Sequence, residues 1–522
     1  MRSKFGNGHR KGLTEIMRGI FLFVTTVSVF LGIGESASRR DSVAAGPVVL
    51  VDSSVKEVER IEKDGIEWQF DGPYKTGTFA NGDPWVLGPV VIIGITPVFD
   101  GEENGWEINP EVEGPQGFAA DIDNYDISLV PMVPCTLAGT KSVVKTVRSA
   151  KPREGNKCRE CLLTASVLTV VSEIPSGKGS RVFRPPYVGK AKPYYQVNDL
   201  RMDLLPSLEP VGPAPNPAWV EETFGRLQLD HKEGRVGRNL HPIKNIPDYG
   251  ADIGKRNGDA ALALLLSDPP ERKLPGVIAY VQYGIDLYHM AQNGHRWGPG
   301  GGHRPGQKLP VIFAAVLLHN RKMKEDIENF DFFHEDQLLY KGNGDVLYGS
   351  SKGYGRNRLE ERYWETVFSH VRKGSATGYK SYRDPYGYID GGFEPGNGYQ
   401  FCCTSQPWKG EALTAVLVPE IKEVWNNEDF FAYVDRWVEM GTIAQPDPCA
   451  PPGKHWKDYG VTFGPDGSGG CIQDRDSSDG VGRFPERHGA TPDGGERYSR
   501  FQDAMWREYR YGKTAHNTDT TN

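Results

Sequence analysis

The chain runs to 522 residues, long enough for two or three domains. Gly 63 and Pro 38 make up roughly a fifth of it, against about 12% in an average protein. That excess excludes a coiled coil or a plain helical bundle, and a net charge of −7 argues against wholesale nucleic-acid binding. Apolar residues at 38% and charged residues at 25% exclude disorder of the whole chain.

Residues 20–33 (IFLFVTTVSVFLGI) form an apolar run preceded by Arg10, Lys11 and Arg18 and followed by Ser36, Ala37 and Ser38. A basic stretch, an apolar stretch and a small-residue site in that order read as an export signal over residues 1–38. The run is shorter than the roughly 20 residues of a membrane span. A secreted or periplasmic protein with no stable membrane insertion is therefore expected, and the lack of any N-x-S/T sequon suits a bacterial source. Seven cysteines (Cys135, Cys158, Cys161, Cys402, Cys403, Cys449 and Cys471) fit export without fixing a pairing. Cys158-x-x-Cys161 has metal-ligand spacing but no second pair to complete a zinc site. Cys449 with Cys471 suits a loop staple.

Residues 45–208 read as a β-rich module. Apolar runs at 86–95, 127–133 and 162–171 are separated by Gly, Pro, Asn and Asp clusters, the spacing of an antiparallel, sandwich-like fold. Residues 209–217 (EPVGPAPNP) form a Pro-rich linker. Beyond it the period turns helical: Leu274, Val277, Ile278, Val281, Ile285 and Tyr288 make one apolar stripe. Further helices are expected over 259–266, 309–319, 359–371, 411–418 and 429–440. Long Gly- and aromatic-rich connections, at 297–306 and 374–398, join them, as in an α/α toroid or incomplete barrel over 218–445. Residues 446–510 read as an irregular Gly- and Pro-rich cap and 511–522 as a disordered tail. The expected class is α+β multidomain.

Four constellations carry candidate chemistry. Gly300-Gly301-Gly302-His303-Arg304, in WGPGGGHRPGQK, lets backbone approach a ligand closely while the phosphate-loop order is absent. His289, His295 and His303 cluster there, but fit no helical metal motif. In Arg383-Asp384-Pro385-Tyr386-Gly387-Tyr388 the cation beside the phenols suits proton transfer. Gly237-Arg238-Asn239-Leu240-His241-Pro242, with Asn245, offers amides and imidazole to a carboxylate or carbonyl. Arg184, Lys190 and Lys192 alternate with Tyr187, Tyr194 and Tyr195, which suits an anionic sugar polymer more than single-stranded nucleic acid. The plain structural counterparts are a loop histidine, an aromatic turn, a polar linker and a solvated strand edge. No cofactor is expected, although Asp474, Asp476 and Asp479 before Gly480 loosely match a calcium loop, the third acid one residue late.

With those motifs in place, VQYGIDLYHMAQNGHRWGPGGGHRPGQKLPVIFAAVLL, RDPYGYIDGG and YQFCCTSQPWKGEAL resemble secreted bacterial polysaccharide lyases of the α/α-barrel type, nearest to those acting on glucuronan or alginate. The resemblance covers roughly residues 235–440. It implies β-elimination at a uronic acid in an anionic polysaccharide. Asn245 and His303 would hold the carboxylate with Arg383 assisting, and Tyr388 or Tyr386 would be the acid/base. His241, Asn239, Arg304, Trp297, Arg184, Lys190, Lys192 and Trp408 would bind the sugar chain. Two other classes remain open at this point: a glycoside hydrolase on a similar toroid, and a non-catalytic carbohydrate-binding surface protein. Elimination leaves an ultraviolet-absorbing unsaturated uronate, hydrolysis leaves none, and a binding protein releases no oligosaccharide.

Overall fold

The computed structural model describes residues 54–150, 158–298, 302–341, 347–351, 406–440 and 499–511. The expected export signal, the helix expected over 359–371, the stretch 374–398, Cys402, Cys403, Cys449, Cys471 and the three aspartates before Gly480 lie outside those residues, as do Arg383, Tyr386 and Tyr388.

Among the described residues, the N-terminal part holds one mixed sheet of eight strands, curled into a half-barrel. In chain order these are β1 (Lys56–Lys63), β2 (Ile66–Thr78), β3 (Pro84–Leu87), β4 (Val90–Thr96), β5 (Trp106–Ile108), β6 (Cys135–Leu137), β7 (Lys141–Arg148) and β8 (Leu162–Val171). The hydrogen-bonded order is β5-β7-β8-β3-β2-β4-β6, with β1 also on β2. Every pair is antiparallel except β3 with β8, where Trp85 lies opposite Thr169 in parallel register. That pair makes the sheet mixed where an antiparallel one was expected.

Two of the expected strands change form. The run 86–95 is divided by Gly88-Pro89 into β3 and β4, because Pro89 has no N–H to give a ladder. The run 127–133 is no strand. Asp126 accepts from Ser128 N at 2.9 Å and turns the chain into a short 3-10 helix over Ile127–Leu129, and Pro131 and Pro134 remove ladder donors beyond it. The third run matches β8 along its length, and nearly every residue of it is buried.

Among the described residues, helices make up most of the C-terminal part: α1 (Pro217–Phe224), α2 (Gly234–Leu240), α3 (Gly250–Leu264), α4 (Pro270–Gln292), α5 (Lys308–Leu317), α6 (Arg321–Glu328) and α7 (His334–Gln337). After a hairpin of β9 (Leu338–Lys341) and β10 (Leu347–Ser351) come α8 (Lys409–Leu417), α9 (Pro419–Trp425), α10 (Glu428–Met440) and α11 (Arg500–Tyr509). The layout is thus α+β. Within the expected irregular cap, α11 is a regular helix, started by Ser499 accepting from Gln502 N. The Pro-rich stretch ends as Asn216 caps α1 by accepting from Trp219 N at 2.9 Å, with Pro217 opening the helix.

At the centre lies α4. Its predicted stripe is buried, but so are Lys273, Gln282 and Asp286 on its other faces, so it is enclosed rather than amphipathic. Both α1 and α5 pack on it, and α8 packs on α3. One apolar cluster joins the two parts: Phe118, Val144, Leu162 and Val167 from the sheet side meet Leu240, Leu262, Val281 and Phe313 from the helices. Among the described residues, no helix is long and apolar enough to cross a membrane.

Candidate functional site

Three stretches of chain converge on one cleft of about 300 Å³, open solvent included. The segment entering α2 contributes Asp230, Lys232, Glu233 and Arg238, with His241 just past the helix. The turn after α4 contributes His295 and Trp297, and the loop entering α5 contributes His303, Arg304 and Gln307.

That last loop is held by glycine and by buried polar groups. Ala251 N donates to Gly302 O at 2.9 Å, and a Cβ on Gly250 would lie 2.3 Å from the His303 carbonyl carbon. Gly306 has φ 115 and sits so close to Gly254 that its own Cβ would lie 2.6 Å from the Gly254 Cα. Its N–H donates to Glu335 Oε1 at 2.5 Å and its carbonyl accepts from Asn257 Nδ2 at 2.6 Å. Glu335 and Glu411 are both fully buried, and burial drives both carboxyls upward, Glu335 to about 7 and Glu411 well above its ordinary range. Among the described residues, both oxygens of Glu411 and Oε2 of Glu335 lack a hydrogen-bond partner.

Asp230 organises the cleft floor. Its Oδ2 accepts from Trp297 Nε1 at 3.2 Å and Gln307 Nε2 at 3.1 Å, while Oδ1 faces His241 Nε2 at 3.0 Å. The other ring nitrogen of His241 donates to Pro247 O at 2.9 Å, since a carbonyl can only accept. Burial works to raise the Asp230 carboxyl, but the hydrogen bond and charge of His241, then His295 and Gln307, hold it below the usual carboxylate range.

His303 stands exposed at the mouth of the cleft. Arg238 donates to its Nδ1 at 3.1 Å; a guanidinium has no acceptor, so Nε2 carries the ring proton. Arg238 is fixed in turn by Asp248, with two bonds of 2.8 Å, and lies 5.1 Å over the Tyr249 ring. Arg159 shares the same carboxylate. Burial opposes ionisation of Asp248, yet the hydrogen bonds from Arg238 and Arg159 bring it down to about 2. Desolvation, then Arg238, Arg304 and Arg159 against Asp248, push the His303 imidazole below its ordinary value, so it is neutral at neutral pH.

Of the residues singled out in the sequence, His241, Trp297, His303 and Arg304 meet at this cleft. Asn239 is buried on α2 beside it. Asn245 is elsewhere: it accepts from Thr164 Oγ1 at 3.0 Å and donates to Ala165 O and Leu227 O at 2.8 and 2.9 Å, in the core. Arg184 is 1% exposed and locked between Asp83 and Asp286. Lys190 is exposed, and Lys192 donates to the carbonyls of Pro186, Tyr187 and Val188, its ammonium lowered to about 7 by burial and by Arg184. Trp408 is buried against Phe430 and Tyr433.

Sequence reading missed Asp230, Lys232, Glu233, Gln307 and Asp248. The run Asp230-His231-Lys232-Glu233-Gly234, polar groups ahead of a glycine, was the available signal. Among the described residues, two groups offer metal-ligand atoms within 4.8 Å of one another: Glu113 with Glu233 and His295, and Asp121 with Cys158 and Cys161. The two cysteines of the second group are joined in a disulfide, and Cys135 is a free, half-buried thiol. No family model matches this sequence, and no curated protein or solved structure matches it either.

Proposed function

We propose that the protein is an exported lyase that cleaves an anionic, uronic-acid-containing polysaccharide by β-elimination in this cleft. The observation that carries the reading is the tautomer of His303. With Nδ1 taken by Arg238, the exposed ring offers an Nε2–H donor between two arginines, the chemistry that receives a sugar carboxylate. Neutralising that carboxylate makes the C5 proton more acidic, and donors fixed before the reaction stabilise the enolate-like intermediate. His303 in this state is a donor and not the base. The base and the acid that protonates the leaving O4 fall to Tyr388 or Tyr386, with Arg383 beside them, as the resemblance to α/α-barrel lyases implies. Trp297 and Arg304 border the path of the sugar chain. A toroidal arrangement of the helices belongs to the same reading.

A hydrolase reading has one observation in its favour: Asp230 and Glu233 line the cleft together. Incubation with a panel of uronans and neutral glycans separates the two, read by ultraviolet absorbance and by new reducing ends. Absorbance rising with reducing ends on a uronan supports elimination. Reducing ends without absorbance convict the lyase reading and favour hydrolysis. Neither signal on any glycan leaves a binding protein.

A further inference from the structure

We infer that Cys158 and Cys161 form a thiol–disulfide exchange site whose oxidation state sets the position of Arg159 and, through Asp248 and Arg238, the hydrogen bonding of His303. The two sulfurs are bonded across only Arg159 and Glu160, and Glu160 stands in the left-handed region at φ 58. So small a ring fixes the backbone from which Arg159 reaches Asp248. Asp248 holds Arg238 by two bonds of 2.8 Å, and Arg238 donates to His303 Nδ1 at 3.1 Å. A continuous line of charge-assisted hydrogen bonds therefore runs from the disulfide to the cleft.

The surroundings suit exchange. Cys158 is half-buried and Cys161 fully buried, so an incoming thiolate meets Cys158 first. The Arg148 guanidinium lies 3.5 Å from the Cys158 sulfur, where positive charge favours a thiolate. Arg148 is itself held by Asp121 at 2.6 Å and Glu103 at 3.3 Å, which fixes it in place. The co-reactant is a dithiol. Its first thiolate attacks the Cys158 sulfur, the protein S–S bond breaks, and Cys161 leaves as a thiolate that takes a proton. The second thiolate of the dithiol then displaces Cys158, which takes the other proton. Two electrons and two protons pass to the protein, and the dithiol becomes a disulfide.

The inference rests on His303 belonging to the functional site, but its test does not need turnover. The full chain is reduced with dithiothreitol, the two thiols are counted by alkylation and mass spectrometry, and the His303 ring is titrated by NMR in both states. The charges facing that ring are Arg238, Arg304, Arg159 and Asp248. Reduction frees Arg159 from its place, removing one cation, so the His303 midpoint rises. The double variant Cys158→Ser, Cys161→Ser shows the raised midpoint without reductant. Arg159→Gln shows it in both states and abolishes the response to dithiothreitol. A midpoint unchanged by reduction, with both thiols alkylated, overturns the inference; so does a disulfide that dithiothreitol cannot open in the folded protein. Zinc uptake by the reduced chain through Cys158, Cys161 and Asp121, without a His303 response, overturns it in favour of a metal site. If no uronan is cleaved in either redox state, the lyase reading fails while the titration still decides the switch.

Discussion

His303 and Asn245 are both polar side chains of the helical part, and their surroundings give them opposite work. His303 is exposed, and among the described residues no partner takes its Nε2–H, whereas Asn245 is 2% exposed and uses its amide on β8 and on Leu227. His303→Ala should therefore lower turnover by roughly 10²–10³ with the thermal midpoint unchanged. Asn245→Ala leaves buried groups unpaired and should cost about 2–3 kcal/mol of stability, read by urea unfolding. The reverse pattern would return Asn245 to the site and remove His303 from it. A second residue makes a pH argument. Glu107 on β5 is 4% exposed, accepts from Gly117 N at 2.6 Å, and is raised by burial from 4.5 to about 7. The native state then holds a proton that the unfolded state releases, so this group's contribution falls as pH rises from 4.5 through about 7. Over that window the wild type should lose about 3 kcal/mol relative to Glu107→Gln, whose amide cannot ionise. Parallel stability curves for the two would mean that Glu107 is charged in the folded protein.

The loop entering α5 shows why some elements were legible and others not. Helices α4, α5, α8 and α10 follow from apolar periodicity, and β8 from its β-branched run, because each buries a face made by nearest neighbours in sequence. The glycines before His303 were readable as a close approach. The close approach at Gly306 was not, since Gly254 on α3 and Glu335 before β9 reach that glycine only through the tertiary fold. For the same reason Arg184 and Lys192 look like a binding stripe in sequence, while the partners that occupy them are distant, Asp286, or carbonyls. Arg383 and both tyrosines lie outside the described residues, so the cleft bears on the His303 part of the expected site alone. Gly306→Ala tests the loop. The new Cβ meets Gly254 Cα at 2.6 Å and the backbone stays at φ 115, which together should cost about 2–4 kcal/mol. Gly139→Ala is the control, at φ 71 with nothing within 4 Å, and should cost about 1 kcal/mol and leave activity intact. Equal losses for the two would show that the approach to α3 contributes nothing.

At the scale of the molecule, the sheet and the helices depend on each other's side chains. The shared apolar cluster is one part of this, and the polar ties across the junction are the other. Ile243 N and Lys244 N donate to Leu162 O and Leu163 O at 3.0 and 3.1 Å, so the chain before α3 covers an end of β8. Arg184, fixed on the sheet side by Asp83, completes its pairing only with Asp286 on α4. Leaving half of a buried ion cluster unpaired costs on the order of 3–5 kcal/mol, a large share of a typical domain's stability. Separating the chain at the Pro-rich stretch 209–217 should therefore not yield two folded halves. A fragment of residues 45–208 would present Leu162, Ala165 and Val167 to water and strand the Arg184 charge. It should bind a hydrophobic dye and lack a cooperative thermal transition by circular dichroism. Co-expression with residues 209–522 should restore both properties, because the missing partners are supplied without a peptide bond. A soluble 45–208 fragment that melts sharply on its own would mean that the junction is an interface between two self-sufficient domains. Arg184→Met would then cost the fragment and the full chain the same amount of stability, whereas a shared core confines its cost to the full chain.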